Sequence, residues 1–60
     1  MNIPKDPVML MSYVNTQLRD NYSSLRELVK SLGLNETEIK EKIASIGMKY
    51  DEKLNQFIAG

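Results

Sequence analysis

The sequence predicts a mainly α-helical fold: a compact three-helix domain with a helix-turn-helix-like corner and a short C-terminal β-hairpin, winged-helix-like, over residues 1–60. Three observations predict it. Apolar residues recur at helical spacing in three consecutive segments. A capping residue opens each segment, and a glycine closes the second and the third. The tail then changes to alternation on either side of a polar four-residue stretch.

Helix one is expected over residues 7–21. Asp6 can cap it, and Pro7 stands at the first helical position, where a missing N–H costs nothing. At about 100° per residue, Val8, Leu10, Met11, Val14, Leu18 and Tyr22 form one broad apolar stripe. Met9 and Tyr13 fall outside it, four residues apart and so neighbours on the opposite side.

Helix two is expected over 25–32. Ser24 and Glu27 have capping-box spacing, and Leu25, Leu28, Val29 and Leu32 make a single stripe. Gly33 supplies the left-handed residue that ends the helix, with Leu34 placed to touch Val29. Helix three is expected over 36–46. Asn35 caps it, with Glu38 three residues on, and Leu34 can staple against Ile39. Ile39, Ile43 and Ile46 form its stripe, Gly47 closes it, and Glu36 and Glu38 suit the positive end of its dipole.

Residues 48–58 are expected to form the hairpin, with Glu52-Lys53-Leu54-Asn55 as its loop and Asn55 tolerating a left-handed conformation. Leu54, Phe57 and Ile58 also fit a helical spacing with Asp51 as cap. The glycine stop before the segment and the turn-like cluster inside it favour the hairpin.

Composition bounds the chemistry. A domain of 60 residues buries only about 60% of its unfolded surface, so economical packing or self-association is expected. There is no cysteine and no histidine, which removes disulfides, thiolate metal sites, the commonest metal ligand and the commonest general base. Hydrophobic residues at 42% argue against disorder. No apolar run approaches the ~20 residues of a membrane helix, and "MNIPKDPVMLM" is too polar for a signal peptide, so a cytoplasmic location is expected.

Helix two, Gly33-Leu34-Asn35 and helix three have the dimensions of a DNA-reading helix-turn-helix, to which the hairpin would add a wing. The charges argue against that use. Eight basic and eight acidic residues leave no basic excess for phosphates. The would-be reading end carries Glu36 and Glu38, with Glu41 following. Val29 stands where a small residue usually lets the helices close, and Lys42 where an apolar contact is usual. Under this alternative the nucleic-acid contacts would be Lys40, Lys42, Lys49 and Lys53. A plain structural corner is the preferred reading.

Other constellations are weaker. Asn15 and Arg19, four apart on helix one, could recognise a carboxylate or backbone group on a partner, or tie the helix to the following loop. The second reading is favoured. Ser12, Ser23, Ser24, Ser31 and Ser45 have no histidine to activate them. Glu36, Glu38, Glu41, Asp51 and Glu52 match no calcium loop. Tyr13, Tyr22, Tyr50 and Phe57 lack the interleaved arginines of a base-stacking platform. Met9 and Tyr13, with Met11 nearby, form a face that either the tail or another chain must cover.

The stretch "IPKDPVMLMSYVNTQLRDNYSSLRELVKSLGL", followed by "IGMKYDEKLNQF", resembles the short bacterial proteins grouped as domain-of-unknown-function family number 4250. The resemblance runs from Ile3 to Phe57 and is most specific at Ser12–Asp20 and at Asn55-Gln56-Phe57. It implies a stand-alone bacterial protein with no established activity and transfers no site residue. Its tail pattern, Tyr-Asp-x-x-x-Asn-Gln-Phe, reads as strand, loop, strand and so adds to the hairpin.

The function expected is therefore a non-catalytic module that binds a protein partner or itself, using Met9, Tyr13, Asn15 and Arg19. The alternative is a winged-helix-like DNA-binding regulator. No catalytic residue, cofactor, metal ligand, membrane contact or small-molecule substrate is expected.

Overall fold

Helices α1 (Pro7–Asp20), α2 (Leu25–Leu32) and α3 (Glu36–Ala44) precede strands β1 (Met48–Asp51) and β2 (Gln56–Ala59). The computed structural model describes residues 3–60. Three helices followed by an antiparallel hairpin is the architecture expected from the sequence.

Each helix starts where its cap is written. Asp6 accepts the Val8 N–H at 3.0 Å, Ser24 that of Glu27 at 3.2 Å, and Asn35 that of Glu38 at 3.0 Å. The return half of the α2 capping box differs from expectation. Glu27 reaches past Ser24 to Ser23, taking its hydroxyl at 2.6 Å and its N–H at 3.3 Å. At the other end of α2, Gly33 is left-handed at φ 70° and the Leu34 N–H bonds Val29 O at 2.8 Å. That is the 6→1 bond of the Schellman motif, and it returns Leu34 to the core.

Two helix ends and one face differ from expectation. α1 stops at Asp20, with Asn21 as its cap. α3 stops at Ala44, two residues short, and Ile46 lies outside it at 36% exposed. Ser45 Oγ donates to Lys42 O at 2.6 Å, and Ile46 and Gly47 bond the carbonyls three residues back. The last turn therefore tightens, and Gly47 at φ 78° swings the chain into β1. Val8, placed in the buried stripe of helix one, is 55% exposed. It sits in the first turn, beyond the reach of the other elements.

The core is made by Leu10, Val14 and Leu18 of α1, Leu25, Leu28 and Val29 of α2, Ile39 and Ile43 of α3, and Phe57 of β2. Full burial of each such side chain contributes roughly 1.5–3 kcal/mol. The radius of gyration is 10.2 Å, near the ~10 Å expected for a compact chain of this length, so the hairpin folds back onto the helices.

The hairpin register pairs Met48 with Ala59, Lys49 with Ile58, Tyr50 with Phe57 and Asp51 with Gln56. One step further, the Gly60 N–H bonds Gly47 O at 3.0 Å. Hydrogen-bonded pairs alternate in an antiparallel ladder, so Tyr50 and Phe57 are a non-hydrogen-bonded pair whose N–H and C=O groups point outward. Their rings pack on the core side, 5.5 Å between centroids at 54°. The loop closes as expected: Asp51 Oδ1 accepts the N–H groups of Lys53 and Leu54 at 2.8 and 3.1 Å, and Asn55 is left-handed at φ 52°.

Candidate interaction surfaces

The most specific polar side chains act on backbone. Asn15 lies on the face of α1 against β2. Its Nδ2 donates to Phe57 O at 3.2 Å and its Oδ1 accepts the Phe57 N–H at 2.7 Å. The amide thus takes both outward groups of one strand residue, as a neighbouring strand would. Asn15 ties α1 to β2 rather than to the following loop, and Arg19 takes no part.

A second joint gathers around Asn55. Its Nδ2 donates to Leu18 O at 3.2 Å and Tyr22 O at 2.9 Å, closing the C-terminal end of α1. Its Oδ1 accepts the Tyr50 hydroxyl at 2.6 Å, and that hydroxyl accepts the Leu25 N–H at the start of α2, at 3.2 Å. The Tyr22 hydroxyl donates to Ser31 Oγ at 3.0 Å. Hairpin, α1 and α2 are thus joined at one corner. The roles of Asn55 and Tyr50 here were not read from the sequence. The left-handed turn residue was visible, but its partners lie 33 and 37 residues away.

The residues expected on a partner surface are divided. Met9 is 60% exposed, beside Val8 at the start of α1. Tyr13, expected on a face that the tail or another chain must cover, is half-buried and packs against the core. It stands only about 60° from Leu10 around the helix axis, and a tyrosine ring spans that distance. The hairpin docks on the Asn15 side, about 200° around α1 from Tyr13. The tail therefore docks away from Met9, which stays exposed.

Arg19 is exposed and forks onto Asp20, Nε to Oδ1 at 2.9 Å and an η nitrogen to Oδ2 at 3.1 Å. The hydrogen bond raises the arginine pKa and lowers that of Asp20. Glu27 is likewise held below the usual carboxylate range, first by the Ser23 hydroxyl and then by the Ser23 N–H.

Of the four lysines of the DNA-binding alternative, Lys40 and Lys49 share a groove between α3 and β1. Lys42 lines a different groove, with Ile3, Leu10 and Leu34. Lys40 pairs with Glu36 at 3.0 Å and Lys42 with Glu38 at 3.8 Å. Lys53 stands in the hairpin loop. Among the described residues, no group of three or more acidic, histidine or cysteine side chains could hold a metal ion, and no helix is long and apolar enough to cross a membrane.

A family model described as a domain of unknown function, DUF4250, matches residues 4–57, nearly the whole chain. No curated protein and no solved structure matches it. The chain belongs to the DUF4250 family.

Proposed function

We propose that this member of the DUF4250 family is a small, non-catalytic protein-interaction module whose contact surface is the exposed start of α1. The observation that carries the reading is the engagement of Asn15, Tyr50, Asp51 and Asn55 with backbone groups. Asn15, Tyr50 and Asn55 hold the hairpin on the helices, and Asp51 closes its loop. Neither histidine nor cysteine is present to build a nucleophile or base elsewhere. What the described surface offers a partner is apolar: Met9 at 60% and Val8 at 55% exposed, adjacent in one helical turn. Methionine adapts well to such contacts.

A photo-crosslinker placed at Val8 tests this in the native host. Capture of a protein that is lost on Met9→Asp, with an unchanged melting curve for the purified variant, is the expected result. Capture unaffected by Met9→Asp, or no capture at all, overturns the α1 surface.

A further inference from the structure

We infer that the outer edge of β1 is a self-pairing surface. A second copy of this chain adds its own β1 there, antiparallel, about a two-fold axis through Tyr50, so that two hairpins make one four-stranded sheet. This goes beyond the α1 surface proposed above and is physically separate from it.

The two edges of the hairpin are unequal. Asn15 takes both outward groups of Phe57, which leaves β2 only those of its last residue, Ala59. By the same alternation, the N–H and C=O groups of Met48 and Tyr50 point out from β1, and no hydrogen bond among the described residues reaches them. An open row of this kind is a template for another strand. There is room beside it: a groove of about 390 Å³ runs between β1 and α3, where the α3 wall includes the small side chain of Ala44.

Charge selects the occupant. Lys49 is exposed and, among the described residues, in no ion pair. A lysine on an edge strand discourages pairing with an uncharged strand. An axis through Tyr50 sets each Lys49 directly opposite Asp51 of the second copy, giving two cross-strand pairs of opposite charge. Asp51 Oδ1 accepts both loop N–H bonds, which leaves Oδ2 for the lysine. An axis through Lys49 or Asp51 would set like charges face to face. Two of the exposed large apolar side chains, Ile46 at 36% and Leu54 at 58%, stand four residues before and after Tyr50. Neither lies in a strand: Ile46 precedes Gly47 before the start of β1, and Leu54 stands in the loop beyond its end.

Sedimentation equilibrium from micromolar to millimolar chain tests this, with amide exchange read in parallel. The expected result is a dimer in which the Met48 and Tyr50 amides gain protection as concentration rises. Lys49→Glu turns two attractions into repulsions and is expected to raise the dimer dissociation constant by about tenfold or more, with the melting curve of dilute protein unchanged. A synthetic chain N-methylated at the Tyr50 amide, which removes one outward donor and no charge, is expected to be monomeric. A wild-type chain that stays monomeric to millimolar concentration overturns the inference. So does a dimer indifferent to both changes; if Met9→Asp disrupts that dimer instead, the α1 reading stands while the β1 reading falls.

Discussion

Asn15 substitutes for a third strand. A side-chain amide sets a donor nitrogen beside an acceptor oxygen at the spacing of a peptide group, so one residue can pair both outward groups of a strand residue. Asn15→Ala leaves the part-buried Phe57 N–H and C=O without partners. The expected destabilisation is on the order of 2–3 kcal/mol in urea unfolding, and Asn15→Asp, which keeps only the acceptor, should not restore it. Glu27 sets a pH dependence. Its folded pKa lies below the ordinary 4.5 because Ser23 donates two hydrogen bonds to the carboxylate. Its contribution is therefore complete above that value and is lost as pH falls through the folded one. Glu27→Gln should flatten the acid limb of a plot of urea midpoint against pH.

At the scale of elements, α3 shows how a residue type can fit a stripe and lie outside the helix. Ile43 is fully buried, whereas Ile46 is past the helix end. Ile43→Ala should cost about 2–5 kcal/mol and Ile46→Ala less than about 1 kcal/mol in the monomer, measured by thermal or urea unfolding at low concentration. The starts of all three helices, the left-handed corner at Gly33 and the hairpin loop were legible in the sequence. Each is fixed by residues within about four positions of one another. The exposure of Val8 and the early end of α3 were not legible, because periodicity says which way a side chain points and not whether another element arrives there. Asn15, Tyr50 and Asn55 were half legible. Their positions stood out, but their partners lie 25 to 42 residues away, and local pattern carries no information on that pairing.

For the molecule as a whole, the hairpin supplies one core side chain, Phe57, and the polar joints to α1 and α2. The exposed Lys40–Glu36 and Lys42–Glu38 pairs add only about 0.2–0.5 kcal/mol each to α3. Helices of 8 and 9 residues are too short to persist alone and depend on the core they share with α1 and Phe57. Ending the chain after Gly47 should therefore lose most helical signal in far-ultraviolet circular dichroism, rather than leaving a three-helix remnant. The Asn15–Phe57 contact spans 42 residues of sequence, and ordering so long a loop is an entropic penalty met before the contact rewards it. Such a link is expected to form after the rate-limiting barrier to folding has been crossed. Asn15→Ala should then leave the folding arm of a chevron plot almost where it was and speed unfolding by tens of fold, a φ-value near zero. The asparagine would act as a latch, setting how long the native state lasts and not how quickly it is reached.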